Sequence, residues 1–110
     1  MLSIDGQKQF FIRAMRYSDI DLVVKNELAA YAYPWSKRNF IDCLQSGYQC
    51  WVFATKEEIV AHGVLSASIG ESHLLTLCVH PDHQRNGYGR RILNLLMERA
   101  YRLDSAECFL

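Results

Sequence analysis

Apolar and polar positions alternate along the chain with two periods, one typical of strands and one typical of helices. The last of the strand-like runs is almost continuously apolar, which is typical of a strand buried on both faces. Charged or turn-forming residues separate the last three runs, so we expect an antiparallel meander. The predicted strands are residues 10–15, 50–55, 59–68 and 73–79, and the predicted turns are residues 56–58 and 70–72.

Apolar residues at helical spacing predict three helices. The first begins at Ser18, with Asp21 three residues later in the manner of a capping box, and Pro34 ends it. The second begins at Ser36 and ends at Gly47. The third follows a polar segment that contains two glycines. The expected apolar faces are Ile20, Val24 and Leu28 in the first helix, Phe40, Cys43 and Leu44 in the second, and Leu93, Leu96, Met97 and Ala100 in the third.

Two further features complete the predicted order of elements. Gly63 lies inside the strand at residues 59–68 and predicts a β-bulge there. Residues 107–110 predict the beginning of one more strand. The order β-α-α-β-β-β-α-β favours an α/β (α+β) fold, in which helices flank a mixed, mainly antiparallel sheet. The length suits one domain, and no linker-like segment divides residues 1–110.

Charge and composition exclude several classes of protein. Lys and Arg number 12, as do Asp and Glu, so no net charge attracts nucleic acid or an anionic membrane. No apolar run reaches membrane-spanning length, and residues 1–9 lack the pattern of a signal peptide. We therefore expect a cytoplasmic protein without nucleic-acid or membrane partners. None of the four cysteines forms a C-x-x-C pair, and we expect buried free thiols at Cys43, Cys50, Cys78 and Cys108.

The polar segment before the third helix is the part of the sequence that indicates chemistry. A loop that runs into a helix N-terminus exposes unpaired backbone N–H groups, and the helix dipole adds partial positive charge. Gly87 and Gly89 carry no Cβ that would block an anion, and Arg85, Arg90 and Arg91 add charge. This predicts a phosphate or pyrophosphate site, the alternative being a glycine turn that merely caps a helix. No third glycine completes a dinucleotide fingerprint, and no G-K-S/T triplet forms a P-loop.

The same segment resembles the acetyl-CoA loop of the GNAT acyltransferase superfamily, written Q/R-x-x-G-x-G/A. Gln84, Gly87 and Gly89 occupy its defined positions. Within the superfamily the resemblance is strongest to the RimI-type ribosomal-protein-alanine N-acetyltransferases. It rests on the segment Tyr-Pro-Trp-Ser at residues 33–36 and on His-Pro-Asp-His-Gln-Arg at residues 80–85. The likeness extends from about Ile12 to Leu110.

The resemblance implies a function and a set of site residues. The chain is expected to bind acetyl-CoA as co-substrate, without a metal, and to transfer acetyl to a protein N-terminal α-amine, with a ribosomal protein as substrate. Tyr33 and Trp35 are expected to form a wall for the incoming peptide N-terminus, the alternative being two aromatics packed under a loop. The cofactor-binding residues implied are Leu77, Cys78, Val79, Gln84, Arg85, Asn86, Gly87, Tyr88, Gly89 and Arg90.

The resemblance also implies that the general base, a Glu, and the general acid, a Tyr, would lie beyond Leu110. We therefore expect residues 1–110 alone to lack the closing elements of the fold. We expect them to bind acetyl-CoA but to catalyse acetyl transfer poorly. Glu71 and His73 are the substitutes for the base that we considered.

Three alternatives stay open from the sequence. The chain could be an inactive CoA-binding or interaction module, a fragment completed by strand exchange with a second copy, or an acetyltransferase for a small amine.

Cys78, His80 and His83 have the spacing C-x-H-x-x-H, which is reminiscent of zinc ligands, but no fourth ligand is evident and we expect no metal.

Overall fold

A computed structural model describes residues 10–68, 71–102 and 107–109, with backbone alone for residues 67, 68 and 107–109. The strands lie side by side in chain order; β1 to β4 are antiparallel to their neighbours, and β5 runs parallel to β4. This confirms the predicted fold class and the antiparallel meander. The strands are β1 (Phe11–Ala14), β2 (Gln49–Ala54), β3 (Ile59–Ser68), β4 (Glu71–Val79) and β5 (Glu107–Phe109), and the helices are α1 (Ile20–Ala30), α2 (Lys37–Gln45) and α3 (Tyr88–Arg102).

The sheet separates two hydrophobic cores. Helices α1 and α2 cover one face, where Phe40, Val52 and Val64 are fully buried. Helix α3 covers the other face, where Ile92 and Leu96 are fully buried. Burial of side chains of this size contributes about 1.5–3 kcal/mol each, so both cores hold their helices on the sheet.

The beginning of α1 differs from the prediction. The carboxylate of Asp19 accepts a hydrogen bond from the backbone N–H of Arg16 at 2.8 Å, and both terminal nitrogens of Arg13 donate to it at 2.7 and 2.9 Å. A 3-10 turn therefore occupies Tyr17–Asp19, and the α-helix begins at Ile20 rather than at Ser18. The guanidinium of Arg13 holds the pKa of Asp19 below its ordinary value.

The buried stripe of α1 also differs from the prediction. Ile20 is buried and Val24 is half-buried, as expected, but Leu28 is 64% exposed. Val23 and Glu27 are buried instead. At 100° per residue, positions 20, 23 and 27 lie closer to one line along the helix than positions 20, 24 and 28 do. Glu27 lies on this stripe, so its carboxylate lies against the sheet.

Helix α2 follows the predicted local signals. The Ser36 hydroxyl accepts a hydrogen bond from the N–H of Asn39 at 3.3 Å, which caps the helix N-terminus. The helix ends before Gly47, whose φ of +74° is the left-handed conformation that glycine adopts without strain. Phe40 and Cys43 are buried and Leu44 is half-buried, so the expected apolar face is confirmed.

Helix α3 has its buried face rotated from the predicted stripe. Ile92, Leu96 and Ala100 are buried, whereas Met97 is 40% exposed. The close approach of this helix explains Gly63: a Cβ at that position would lie 2.8 Å from Ile92 Cγ2 and from Leu96 Cδ1. The register shifts of β3 fall elsewhere, opposite Phe53/Ala54 and at Val64/Leu65. Gly63 therefore serves helix packing and not the bulge.

Strand β4 begins earlier than predicted, because Glu71 and Ser72 pair with β3 instead of turning. Its side chains alternate between buried and exposed at its start, so it is not buried on both faces. Residue 70 of the predicted turn and residue 110 of the predicted last strand lie outside the described residues. Among the helices that the structure describes, none is long and apolar enough to span a membrane.

Three of the four cysteines are buried free thiols as expected, namely Cys43, Cys50 and Cys78. Burial raises the pKa of Cys50 and of Cys78 to about 12. Both side chains are therefore neutral near pH 7 and behave as small apolar groups. The side chain of Cys108 lies outside the described part of the chain.

Candidate functional site: a strand edge, a glycine loop and an aromatic pocket

The loop between β4 and α3 is held in shape by its own polar side chains. Gln84 Nε2 donates to the carbonyl of Val79 at 3.2 Å, and Asn86 Nδ2 donates to the carbonyl of His83 at 3.0 Å. Arg85 has a φ of +69°, which is uncommon for a residue with a side chain. The loop is thus fixed against the end of β4 before the helix begins.

Glycine is favoured at the two glycine positions of the loop for different structural reasons. Gly87 has a φ of +79°, and a Cβ there would meet nothing within 4 Å, so it is the backbone conformation that favours glycine. A Cβ at Gly89 would lie 3.1 Å from Val79 Cγ2, so here the absence of a side chain lets α3 approach the end of β4. Both features bring the helix N-terminus beside the strand.

The N-terminus of α3 presents backbone donors to the loop. The N–H of Arg91 bonds to the carbonyl of Gly87 at 3.1 Å, and the N–H groups of residues 88–90 precede this first turn. The side chains of Arg85 and Arg90 are exposed beside them. The ring of Tyr88 packs on Phe53, with centroids 4.6 Å apart, and anchors the helix start to the sheet. Backbone N–H groups, the helix dipole and exposed arginines together favour an anion here.

The outer edge of β4 leads into this loop. Among the described residues, β5 pairs with residues 71–73 of β4 and no strand lies beside residues 74–79 on that side. The carbonyls of Leu77 and Val79 face this edge, because they accept hydrogen bonds from the Tyr31 hydroxyl and the Gln84 amide. The N–H and C=O of one strand residue point to the same side, so the amides of Leu77 and Val79 face the edge as well.

The backbone and side chain of Cys78, between these two residues, do not face the outer edge. Its side chain is 1% exposed and points toward α1, where Sγ donates to the carbonyl of Asn26 at 3.6 Å. Because backbone directions alternate along a strand, the amide of Cys78 faces β3, where the residue pairs with His62.

An open pocket of about 320 Å³ lies on the α1 side of the same edge. Helix α1 contributes Glu27, and the segment that follows it contributes Tyr31, Tyr33 and Trp35. Residues 74–77 of β4 form the opposite wall. The structure therefore brings Tyr33 and Trp35, both singled out in the sequence, to one pocket beside the strand edge. Tyr33 is 96% exposed and stands at its rim.

A buried carboxylate lies at this pocket. Glu27 Oε1 accepts hydrogen bonds from His62 Nε2 at 2.9 Å and from the Thr76 hydroxyl at 2.8 Å. Glu27 Oε2 accepts one from the backbone N–H of Trp35 at 3.2 Å. Burial, the largest single influence, raises the pKa of Glu27, but the hydrogen bonds from His62, Thr76 and Trp35 together hold that pKa below its ordinary value.

Glu27, His62 and Cys78 also form the group of metal-ligand types that comes together in the described residues, with ligand atoms within 4.8 Å of one another. Their atoms are already engaged: His62 shares a hydrogen with Glu27, and the neutral Cys78 thiol donates to a carbonyl. The arrangement is that of a hydrogen-bond network. His80 and His83, which share the C-x-H-x-x-H spacing with Cys78, lie outside this group; their rings contact each other at 5.9 Å on the loop.

Glu71 and His73, considered as substitutes for a general base, lie at the other end of β4. Their side chains are about half exposed and form an ion pair of 3.5 Å with each other. Neither residue lines the pocket. Six residue steps of extended strand lead from His73 to Val79, or about 20 Å, so Glu71 and His73 are not brought to the loop.

Sequence reasoning missed the residues of the buried network. The available signal for Glu27 was a carboxylate at position i+7 from Ile20, on the apolar side of α1. The signal for His62 was a polar residue in the middle of an apolar strand. Neither signal indicates that the two side chains meet, since they lie 35 residues apart in the sequence.

Residues 46–109, more than half of the chain, match the model of the acetyltransferase (GNAT) domain. The chain belongs to the GNAT acetyltransferase family. The match includes β2, β3, β4, the glycine loop and α3, so the loop and strand edge described above are parts of the family domain.

Among characterised GNAT relatives, the ribosomal protein bS18-alanine N-acetyltransferase of Escherichia coli K12 is 26% identical over 87 residues, which are 79% of this chain and 59% of that protein. The crystal structure of the E. coli ribosomal-protein-S18-alanine N-acetyltransferase superposes with a TM-score of 0.78 at 24% identity, over 86% of this chain and 61% of that one. PaiA N-acetyltransferase from Thermoplasma acidophilum, solved with coenzyme A, gives a TM-score of 0.75 at 13% identity over 86% and 73%. The chain thus spans about three fifths of the length of its E. coli relative.

Proposed function

We propose that this chain binds acetyl-CoA along the outer edge of β4 and the following loop, and that it acts in N-acetylation of protein N-terminal α-amines. The observation that carries the proposal is the continuity of two sets of hydrogen-bonding groups. The outward backbone groups of Leu77 and Val79 lie at the end of β4, and the loop that follows leads to the N–H groups at the start of α3. An elongated ligand with an amide-containing arm and a pyrophosphate requires both sets.

The residues implied by the resemblance divide by role under this proposal. Leu77 and Val79 bind the pantetheine arm through their outward amides and carbonyls. Gln84 and the Asn86 side chain hold the loop in shape, as their hydrogen bonds indicate. Cys78 contributes its place in the strand, since its side chain is buried. The backbone of residues 85–90 binds the pyrophosphate without a metal. The exposed charges of Arg85 and Arg90 support this binding.

The pocket lined by Tyr33 and Trp35 is the proposed entrance for the acceptor amine. It opens beside residues 74–77 of β4, the part of the edge nearest the expected position of the acetyl group. The name of the E. coli relative, which acts on an alanine of a ribosomal protein, supports a protein N-terminus as the acceptor. We extend this to a ribosomal protein in the cytoplasm as the proposed substrate.

Acetyl transfer from a thioester to an amine has three requirements at such a site. An α-amine with an ordinary pKa near 8 is mostly protonated at pH 7, so a proton must leave before the nitrogen attacks the thioester carbonyl. Backbone N–H groups at the strand edge stabilise the oxyanion that then forms. The C–N bond replaces the C–S bond, and CoA leaves as a thiol. Strand and loop position the thioester for this step.

An alternative function is CoA binding without turnover, as an interaction module or as a fragment completed by strand exchange between two copies. One observation favours it: neither Glu71 nor His73, the candidate bases in the sequence, lines the pocket. The two functions agree on CoA binding and differ on the release of free thiol.

The binding experiment compares two exposed arginines of the same helix. Calorimetry measures CoA affinity for the unchanged chain, for Arg90→Gln at the start of α3, and for Arg102→Gln at its end, where Arg102 pairs with Glu98. We expect Arg90→Gln to weaken CoA roughly threefold to tenfold and Arg102→Gln to leave it unchanged. Equal losses in both variants would contradict binding at the loop.

The turnover experiment separates the two functions. The chain is incubated with acetyl-CoA and a peptide that begins with alanine, and free thiol is measured against a sample without peptide. Peptide-dependent thiol release supports the acetyltransferase, whereas CoA binding without release supports the module. A chain that binds no CoA contradicts both.

A further inference from the structure

The buried carboxylate at the pocket has no Lys or Arg partner among the described residues. Glu27 is 1% exposed, and none of the described Lys or Arg residues forms an ion pair with it. His62 is its one basic contact, through Nε2. The other His62 nitrogen, Nδ1, is buried and has no hydrogen-bond partner in the described structure.

Glu27 is the acidic member of this network. Its other neighbours add no positive charge, since Thr76 and the Trp35 backbone are neutral donors. Its field also acts on Tyr31 and Cys78, the titratable groups packed nearby: after burial, the charge of Glu27 is among the causes that raise the pKa of each. An isolated negative charge in a buried site is costly unless a cation or further donors compensate it.

The carboxylate retains a place for one more donor. Its two oxygens offer about four acceptor positions. Oε1 uses two, for His62 and Thr76, and Oε2 uses one, for Trp35. The remaining position is on Oε2, and Glu27 lines the pocket whose rim is aromatic. Tyr31, Tyr33 and Trp35 line the same pocket, and the faces of aromatic rings attract cations.

We propose that this pocket is a binding subsite for a primary ammonium group, held by Glu27 Oε2 and surrounded by the rings of Tyr31, Tyr33 and Trp35. The inference deepens the proposed function, on which it rests for the nature of the acceptor. The acceptor amine arrives mostly protonated and is captured as a cation. Once the proton has passed to water, the same oxygen accepts an N–H of the neutral amine and orients it toward the edge of β4. A carboxylate whose pKa is held low is a weak base, so Glu27 positions the amine and does not deprotonate it.

The test uses two peptides that differ at one group. Ala-Ala-Ala amide carries a free α-amine, and N-acetyl-Ala-Ala-Ala amide is uncharged there. Both are titrated at about pH 6, where the amine is protonated, into the 110-residue chain, with and without saturating CoA, and binding is followed by NMR and calorimetry. We expect the free amine to bind about tenfold tighter or more than the acetylated peptide. Equal affinities, or binding of neither peptide, overturn the proposal.

Variants on α1 assign the preference to Glu27. E27Q keeps the shape of the side chain and removes its charge; D21N does the same at an exposed position of the same helix. We expect the preference for the free amine to vanish in E27Q and to persist in D21N. A preference that persists in folded E27Q overturns the proposal.

The proposal stays testable if E27Q does not melt cooperatively. In the unchanged chain, affinity for the free amine should then fall as pH rises from about 6 to about 9, through the amine's ordinary pKa near 8, while that of the acetylated peptide stays constant. Parallel pH profiles overturn it. CoA affinity measured in the same samples separates the two proposals: lost CoA binding with a retained amine preference contradicts the proposed function alone, and the reverse contradicts the ammonium subsite alone.

Discussion

The two faces of the sheet bury their hydrophobic clusters with different chemistry. Under α3 the buried cluster is apolar, Arg91 and Arg99 lie over the rings of Phe53 and Trp51, and Gly63 lets the helix lie against the strands. Under α1 a comparable core is interrupted by Glu27, His62 and Thr76, joined by hydrogen bonds at the side that faces the pocket. An apolar alternative would satisfy packing on both faces, and buried charge is seldom worth its desolvation. The α3 core therefore serves packing, and under the proposed function the polar groups of the α1 face serve the site.

The apolar face should give the largest loss of stability. Leu96→Ala removes a fully buried side chain between α3 and the sheet and leaves a cavity. We expect the free energy of unfolding in urea to fall by about 2–5 kcal/mol. Met97→Ala, one residue along the same helix and 40% exposed, is the control and should cost less than about 1 kcal/mol. Equal losses would mean that α3 does not pack on this face as described.

The polar face should give the next largest effect. Glu27→Ala leaves three donors without their acceptor, at His62, Thr76 and the Trp35 backbone. We expect a loss of about 1–3 kcal/mol in urea unfolding. Asp21→Ala is the matched change, because Asp21 is on the same helix and its side chain is 84% exposed. A stability gain in Glu27→Ala would show that the network costs more than it contributes, which would sharpen the contrast between the faces.

We expect low pH to weaken the interactions on the α1 side of the sheet before it weakens those of the α3 core. The pKa values of Asp19 and Glu27 are both lowered in the folded chain, so the unfolded chain binds more protons around pH 4. Their stabilisation is complete above the ordinary carboxyl pKa and is lost as pH falls through the lowered folded values. We expect the thermal midpoint to drop below about pH 5. Asp19→Asn should flatten that drop; an unchanged profile would contradict a role for the Arg13–Asp19 pair.

Local chemistry explains what could be predicted from the sequence. The strands, the order of elements and the bounds of α2 follow from patterns that a few neighbouring residues establish, as the Ser36 cap and the φ of Gly47 illustrate. The glycine loop was predictable for the same reason. The purpose of Gly63 was not, because it depends on Ile92 and Leu96 about thirty residues later, and the network was not, because Thr76 meets Glu27 across 49 residues of sequence. Such contacts are set by how the elements pack and not by their own patterns.

The smallest effect on stability should come from the pocket rim, and it should be the clearest functional one. Tyr33 is 96% exposed, so Tyr33→Ala should change the free energy of unfolding by less than about 0.5 kcal/mol. Tyr101→Ala, at an 82% exposed aromatic on α3, is the control and should be equally silent in stability. If the α1 side carries the acceptor site, Tyr33→Ala should weaken binding of Ala-Ala-Ala amide roughly threefold to tenfold, a loss typical of an exposed aromatic that a ligand covers. Tyr101→Ala should leave that affinity unchanged. Calorimetry at about pH 6 gives the affinities, and equal affinities in both variants would place the peptide elsewhere than at this rim. A stability loss confined to Tyr33→Ala would instead mean that its ring supports the segment between α1 and α2, and the rim would then belong to the fold and not to the site.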